Sequence, residues 1–234
     1  MVALPRGYVA FDIDGTLLRW HFGKGLRVMV EVFEELFQVR IPEARYPQAA
    51  GKTDWQLFRE LLAIAEIDAQ VGEQQRPAFF RHFARQIRRY GSEEFQLLPG
   101  VRELFARLRA QEIGIGVVTG NIQPVARWKL SLFALDRFVE LGAYGDESPE
   151  RTQLVQLFAQ RLQERYGQKI PFVLVGDSPN DVAAARQAGM PVIAVATGPV
   201  SEQQLRASAP DALLDSLENS QRVQQLVEAL WERN

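Results

Sequence analysis

The stretch from Tyr8 to Leu18 constrains the fold of this chain more than any other. It joins an unbroken apolar run, Tyr-Val-Ala-Phe, to an Asp-Ile-Asp-Gly-Thr turn. An apolar run without polar alternation is typical of a strand that is buried on both faces, as in a parallel sheet. In open α/β sheets, ligands bind beyond the carboxyl ends of the strands. Asp12 and Asp14 directly follow this strand, so we expect both to face one ligand.

An Asp-x-Asp-Gly sequence also occurs in calcium-binding loops and in simple turns. In an EF-hand loop, Asp12 and Asp14 would occupy positions three and five, which places Ala10 at position one and His21 at position twelve. Neither Ala10 nor His21 supplies the carboxylate required there, and the EF-hand is therefore excluded. The choice between a simple turn and a catalytic site depends on the rest of the chain.

The composition excludes several classes of protein. The 234 residues include 27 basic and 29 acidic side chains, a balance that does not favour nucleic-acid binding by bulk charge. The absence of cysteine excludes thiolate metal sites and thiol nucleophiles, and two histidines are too few for a histidine-rich metal centre. The sequence shows no basic-then-apolar signal segment and no apolar run of membrane-spanning length. We expect a cytoplasmic monomer or homodimer with no nucleic-acid or membrane partner.

Hydrophobic periodicity divides the chain into a helical insertion and an α/β core. Apolar residues recur at helical spacing in three segments, 25–38, 55–65 and 77–90, which predicts an all-helical cap over residues 19–95. Beyond the cap, helices alternate with short apolar strands near 113–118, 138–141, 171–175, 191–195 and 212–214. This alternation predicts a doubly wound, mostly parallel, Rossmann-like sheet with helices on both faces, built from residues 1–18 and 96–234. The cap follows the first strand, so we expect it to cover the carboxyl ends of the strands.

Two further strands of the predicted sheet also end in polar residues. Thr119-Gly120-Asn121 follows the second core strand, and the sequence Gly-Asp-Ser-Pro-Asn-Asp, which contains Asp177 and Asp181, follows the fourth. Each segment has a simpler interpretation as a helix start, with Asn121 or Ser178 as the capping residue and Asp181 in the first turn. Each segment alone is therefore a weak indication of a site.

Together and in this order, the three strand ends resemble the motifs of the haloacid dehalogenase superfamily of phosphohydrolases. The residues from Asp12 to Thr16 match its first motif, Asp-x-Asp-Gly-Thr, and Thr119 matches the second. Asp177 and Asp181, with the glycine before them, match the fourth. The helical insertion looks like the family's cap, and its Gly-Lys-Thr-Asp sequence at 51–54 is similar to a segment of phosphoglycolate phosphatase-like members. The resemblance covers nearly the whole chain.

The resemblance implies a magnesium-dependent phosphatase that acts on a small phosphorylated metabolite. Asp12 would attack phosphorus to form an aspartyl-phosphate, and Asp14 would protonate the leaving oxygen and later activate water. The remaining roles are contacts to the phosphoryl group or the substrate, expected of Thr119, Gly120, Asn121 and Lys52. The expected Mg²⁺ ligands are Asp12, Asp14 through its backbone carbonyl, Asp177 and Asp181.

The family's third motif is usually a lysine ahead of the fourth strand, but Lys169, which precedes that strand here, is expected at the end opposite the site and out of reach. Arg151 is the best-placed cation, in the first turn of a helix, where a cation opposes the helix dipole and therefore indicates a nearby charge partner. By this argument its removal leaves or slightly raises thermal stability. Lys129 stays open as the competing candidate for this role, but it is disfavoured because it lies more than two turns into the helix after Asn121, over ~10 Å along its axis, and is expected to be out of reach.

Two alternatives to a phosphatase remain open. A phosphomutase of the β-phosphoglucomutase type keeps the same chemistry and passes phosphate to a sugar instead of water. A non-catalytic phosphate-binding relative is the other alternative. It is disfavoured because a binding protein has no use for both Asp12 and Asp14.

Overall fold

A computed structural model describes residues 4–20 and 24–232 of the chain; His21 therefore lies outside the described residues. The strands are β1 (Tyr8–Phe11), β2 (Leu18–Trp20), β3 (Phe95–Leu97), β4 (Gly114–Val118), β5 (Leu141–Ala143), β6 (Phe172–Gly176), β7 (Val192–Val195) and β8 (Ala212–Leu214). The α-helices are α1 (Lys24–Phe37), α2 (Asp54–Ile64), α3 (Ala69–Ile87), α4 (Val101–Ala110), α5 (Gln123–Ser131), α6 (Arg151–Tyr166), α7 (Pro179–Gln187), α8 (Glu202–Ala207) and α9 (Ser220–Trp231).

Six strands form one parallel sheet in the order β5-β4-β1-β6-β7-β8. The first strand lies between β4 and β6, with Ala10 opposite Gly116 on one side and Leu174 on the other. Because parallel strands end at the same edge of a sheet, the residues that follow β4, β1 and β6 are brought side by side. This arrangement confirms the predicted Rossmann-like α/β core.

Helices cover both faces of this sheet, as the apolar run of β1 predicts. Val9 and Phe11 pack in one cluster with α4 and α9, whereas Tyr8 and Ala10 pack in another with α6 and α7. All four strand residues are fully buried. Alternation along the strand therefore supplies apolar side chains to two cores, which explains why the sequence shows no polar alternation.

The cap has its own apolar core, formed by α1, α2 and α3 around the rings of Phe33, Phe58 and Phe79. The prediction of an all-helical segment is incomplete, because β2 and β3 pair as an antiparallel ribbon at its base. Arg19 lies directly opposite Gln96 in this ribbon, at the predicted junction of cap and core. Each strand has three residues, too few to give a detectable period.

Two element boundaries also differ from the prediction. Helix α3 begins at Ala69 rather than near Pro77, because Asp68 caps it by accepting from the backbone N–H groups of Gln70 and Val71, both at 3.0 Å. Pro77 consequently lies inside the helix. The strand expected at 138–141 is β5, displaced toward the C-terminus. The short helix α8 was not predicted.

In the described part of the chain, no helix is both long and apolar enough to span a membrane.

Candidate active site

Three buried carboxylates meet at the ends of the central strands. Asp12 follows β1, Asp177 follows β6, and Asp181 lies in the first turn of α7. One oxygen atom from each lies within 4.8 Å of the others, and all three residues are buried. The sequence-based prediction that these residues meet is therefore supported by the geometry, since β1 and β6 are neighbours in the sheet.

Burial and mutual repulsion disfavour ionisation of this cluster. Burial, opposed by the charge of Arg151 and reinforced by the charges of Asp181 and Asp14, raises the pKa of Asp12 to about 6. Burial, followed by the charges of Asp12 and Asp181, also raises the pKa of Asp177 well above its ordinary value. Two like charges ~4 Å apart cost about 4 kcal/mol at an effective dielectric constant near 20. The cluster therefore favours binding of a cation.

Arg151 supplies one positive charge to the cluster. Its guanidinium Nη2 lies 2.9 Å from Asp12 Oδ1 and also forms an ion pair with Asp181. The neighbouring carboxylates raise the pKa of Arg151, so it stays charged despite its burial. Sequence analysis predicted that Arg151, a cation in the first turn of its helix, has a charge partner nearby. The structure shows two, Asp12 and Asp181.

Asp181 caps helix α7 and also lies in the acidic cluster, while its role as a metal ligand stays a prediction. Its Oδ2 accepts hydrogen bonds from Ser178 N at 3.1 Å and Ser178 Oγ at 2.6 Å, and its own N–H donates to Ser178 Oγ, which forms a capping box. Its Oδ1 contacts Arg151. The capping interactions therefore fix this carboxylate without removing it from the cluster.

Asp14 lies apart from the other carboxylates and is held by a lysine. Lys129 Nζ donates to Asp14 Oδ1 at 2.8 Å and Oδ2 at 2.6 Å, and Asn121 Nδ2 donates to Oδ2 at 2.7 Å. Lys129 also donates to Asn121 Oδ1 at 2.8 Å, so the three side chains form a closed network. The expectation that Lys129 is out of reach is wrong. The distance along the helix axis describes the backbone of Lys129 only. Side chains of a helix tilt toward its N-terminus, which here lies at the strand ends, so the ammonium group reaches the site.

The turn after Asp14 is shaped around Asp177. Gly15 adopts φ +84°, and a Cβ atom at this position would overlap the Asp177 carboxylate. Thr16 Oγ1 donates to Asp177 Oδ1 at 3.1 Å, and Thr197 Oγ1 donates to the Gly15 carbonyl at 2.5 Å. Sequence analysis did not find Thr197, because it lies in a loop without a distinguishing motif. These contacts orient Asp177 toward Asp12.

The second predicted motif lies beside this turn. Thr119 is fully buried, and its Oγ1 accepts from Asn121 Nδ2 at 3.0 Å, which leaves its hydroxyl hydrogen for another acceptor. Gly120 and Asn121 line the same cavity as Asp12. A Cβ atom on Gly120 would overlap the backbone carbonyl of Lys52, so the cap approaches the core closely here. The roles proposed for Thr119, Gly120 and Asn121 remain predictions.

The 51–54 segment of the cap docks directly on the core. Asp54 N donates to Gly120 O at 2.7 Å, and Ile122 N donates to Asp54 Oδ2 at 2.8 Å. Thr53 caps α2 by accepting from Gln56 N at 3.0 Å. Burial raises the pKa of Asp54 to about 7. Sequence analysis identified Asp54 only as part of the 51–54 segment of the cap, and only the fold reveals its contact with the core.

Lys52, predicted to bind substrate, lines the cavity above Asp12. Its Nζ contacts both carboxylate oxygens of Glu60, at 2.8 Å and 2.7 Å. The structure therefore places Lys52 at the site but pairs its charge within the cap. Its contact with a substrate stays a prediction.

The donor set of the acidic cluster suits a hard dication. When all three carboxylates are ionised, the cluster and the guanidinium of Arg151 together carry a formal charge of −2, which a divalent cation balances. Carboxylate oxygens are preferred ligands of Mg²⁺. The Asp14 carboxylate lies outside this group, so the predicted contribution of Asp14 depends on its backbone carbonyl and stays a prediction.

Lys129→Met tests whether the lysine positions Asp14. We expect kcat to fall by part of the roughly 10²–10⁴-fold that a general acid–base contributes, because Asp14 loses its strongest partner. In an Asp14→Asn background the same change should cost little, since there is no carboxylate left to position. Steady-state kinetics of the wild type, the two single variants and the double variant measures the coupling between Lys129 and Asp14. Equal losses in both backgrounds would reduce Lys129 to a structural residue.

Comparison with known proteins identifies the family. Residues 8–189 match the family model of haloacid dehalogenase-like hydrolases. The chain is 31% identical over 218 residues to a phosphoglycolate phosphatase, plasmid, of Cupriavidus necator, covering 93% of this chain and 92% of the relative. It is 30% identical over 193 residues to a phosphoglycolate phosphatase of Chromobacterium violaceum, covering 81% and 85% of the two chains.

Solved structures show the same fold. A hydrolase from Pseudomonas syringae superposes with a TM-score of 0.68 at 16% identity, covering 94% of this chain and 98% of that one. CbbY from Rhodobacter sphaeroides in complex with phosphate gives 0.66 at 20% identity, covering 92% and 96%. Because the family model spans most of the sequence, the chain belongs to the haloacid dehalogenase-like hydrolases, within which it is similar to phosphoglycolate phosphatases.

Proposed function

We propose that this protein is a magnesium-dependent phosphatase that hydrolyses a small phosphate monoester through an aspartyl-phosphate on Asp12. The observation that carries the proposal is the separation of two carboxylates of one motif. Asp12 lies in the acidic cluster beside Arg151, whereas Asp14 is held in its own network by Lys129 and Asn121. Two carboxylates in different environments suit two different tasks, nucleophile and acid–base.

The reaction divides into two balanced steps. An oxygen of Asp12 attacks phosphorus, the bond to the ester oxygen breaks, and protonated Asp14 gives its proton to the departing alcohol. Asp14, now ionised, then takes a proton from water as the water attacks phosphorus. The bond to Asp12 breaks, inorganic phosphate leaves, and both carboxyl groups return to their starting states.

The cations and amides around Asp12 would stabilise charge on the phosphoryl group. Arg151 is buried beside the nucleophile, and a guanidinium can hold phosphate oxygens in a bidentate manner. Thr119 and the Gly120 N–H are the donors that we propose for the remaining oxygens. Fixed donors in a buried site need little reorganisation during the reaction.

The proposed Mg²⁺ ligands are Asp12, Asp177, Asp181 and the backbone carbonyl of Asp14. When bound, the ion would screen the charge of the phosphate from the attacking carboxylate. Thr16 orients Asp177 for this role through the hydrogen bond at 3.1 Å.

Hydrolysis of p-nitrophenyl phosphate by the purified protein, with and without Mg²⁺, tests the proposal. We expect release of nitrophenolate and inorganic phosphate in equal amounts, abolished by a chelator and restored by Mg²⁺. Binding of phosphate without turnover would support the non-catalytic alternative and contradict the proposal. Transfer of phosphate between hydroxyls of a sugar phosphate, faster than its release, would support the mutase alternative.

Asp177→Asn should weaken metal binding and stabilise the metal-free protein. Removal of a ligand charge should raise the Mg²⁺ concentration for half-maximal activity by at least about tenfold, equivalent to about 1.4 kcal/mol. Removal of a like charge should raise the free energy of unfolding in chelator by up to about 4 kcal/mol, the repulsion between two charges ~4 Å apart. A magnesium titration and thermal unfolding in chelator measure the two effects. An unchanged titration would exclude Asp177 as a ligand.

A further inference from the structure

The cavity above Asp12 is charged at the strand ends and, apart from Lys52 and Asp54, mainly apolar on the side of the cap. Its volume is about 350 Å³, at the lower end of the roughly 300–1,000 Å³ of small-molecule pockets. It therefore has room for a leaving group beyond the phosphate. The cap side and the adjoining helix α5 form what we term the apolar wall, made of Leu26, Met29, Leu57, Phe83, Ile87 and Val125.

Every cation that lines the described part of this cavity is already paired with a carboxylate. Lys52 is paired with Glu60 inside the cap, at 2.7 Å. The other two lining cations, Lys129 and Arg151, are paired with carboxylates of the proposed catalytic machinery. A second anionic group on a substrate would therefore have to displace an existing ion pair.

A buried acid in the same cavity opposes additional negative charge. Asp54 lines the cavity, and burial raises its pKa to about 7. Its Oδ2 is occupied by the N–H of Ile122. A carboxylate moved close to Asp54 and the apolar wall would lose hydration without gaining a partner, which is unfavourable.

We propose that the apolar wall binds the alcohol part of the substrate, so that the preferred substrates are alkyl or arylalkyl phosphate monoesters without a second anionic group. This inference rests on the proposed function for the position of the phosphate. The apolar wall lines the same cavity as Asp12, so an ester chain that extends from the phosphoryl group into this cavity meets apolar side chains such as Leu57 and Met29. Burial of this chain provides the binding free energy.

A chain-length series tests the proposal on the full protein with Mg²⁺. The compounds are ethyl, butyl and hexyl phosphate, with 2-phosphoglycolate as the anionic comparison. The three alkyl alcohols are similarly basic leaving groups, so a trend in kcat/KM among them reports binding rather than leaving-group chemistry. We expect a rise of about fourfold per methylene until the cavity is filled, which is the value of one buried CH₂ expressed as a ratio.

Binding of the corresponding alkylphosphonates, measured by calorimetry, gives a second readout that needs no turnover. We expect affinity to rise from ethyl- to hexylphosphonate by at least about tenfold. If none of the esters is hydrolysed but this affinity trend holds, the proposed phosphatase function fails and the apolar leaving-group site stands.

A matched pair of variants links the trend to the apolar wall. Leu26 and Leu36 are both partly buried leucines of α1 that pack on the cap core, but only Leu26 lines the cavity. Leu26→Arg should reduce the hexyl-to-ethyl ratio of kcat/KM by at least about tenfold and improve 2-phosphoglycolate relative to butyl phosphate. Leu36→Arg, which adds the same charge elsewhere on the helix, should leave both ratios unchanged.

Three results would overturn the inference. The first is a flat or falling series for both esters and phosphonates. The second is wild-type kcat/KM for 2-phosphoglycolate above that for butyl phosphate. The third is an equal effect of Leu26→Arg and Leu36→Arg on the hexyl-to-ethyl ratio in folded variants.

Discussion

Asp12→Asn should reduce phosphatase turnover to background while the protein remains folded. The amide keeps the shape of the side chain but cannot act as the anionic nucleophile, and Asp14, the other carboxylate after β1, is held away by Lys129 and Asn121. The charge of Asp12 is among the causes that raise the pKa of Asp177, so its removal should not destabilise the acidic cluster. Steady-state kinetics together with thermal unfolding measures both effects.

Asp14→Asn provides the contrasting variant. Nitrophenolate needs little protonation to leave, so Asp12 can still be phosphorylated by p-nitrophenyl phosphate, whereas attack by water loses its base. We expect a burst of nitrophenolate followed by slow turnover, with phosphate recovered on the acid-quenched protein. Wild-type turnover in Asp12→Asn, or protein-bound phosphate in that variant, would contradict the assignment of the nucleophile.

Arg151→Ala should lower kcat by roughly 10²–10³-fold or more, the effect of removing one fixed donor that stabilises charge in the transition state. In contrast to the sequence-based expectation of unchanged or slightly raised stability, it should also destabilise the metal-free protein by about 3–5 kcal/mol at neutral pH, because two buried carboxylates, Asp12 and Asp181, lose their partner. Protonation of Asp12 relieves part of the loss, so the difference from wild type should shrink as the pH falls from neutral toward the wild-type Asp12 pKa of about 6. Kinetics and unfolding at several pH values measure these effects.

Two further variants control for charge and for position. Arg151→Lys should recover much of the activity if charge matters more than the fork geometry of the guanidinium. Arg161→Ala, on the same helix, removes an arginine that is paired with Glu147 in a partly exposed position, and should leave kcat unchanged. If Arg151→Ala is nearly as active as wild type while Lys129→Ala is inactive, then Lys129 is the essential cation.

The sequence by itself determined the fold class and the acidic cluster. The apolar run of β1 required a sheet covered on both faces, and alternating strands and helices required that sheet to be parallel. In a parallel sheet every strand delivers its following residue to one edge. For this reason Asp12, Thr119 and Asp177 could be assigned to one site although they are far apart in the chain. Each assignment depended on a local pattern and on one general rule of topology.

Short strands, and helix starts with two competing signals, could not be predicted from local sequence patterns. The ribbon of β2 and β3 is too short to show a period, and each strand is stabilised by its partner rather than by its own sequence. The start of α3 depended on Asp68, whose capping role was overlooked in favour of Pro77. Residue type alone does not indicate whether Asp68 or Pro77 marks the start of the helix.

Only the tertiary structure decided how the charges are paired and what surrounds the substrate. Arg151 looked like a cation in an unfavourable first turn, yet its two buried partners make it part of the core. Lys129 looked distant along the helix axis, yet it holds Asp14 at 2.6 Å. Asp54 and the apolar wall meet the core only because the cap folds back over the strand ends. Ion pairs and cavities form between side chains from separate elements, and their free energies depend on distance and burial that no local pattern records.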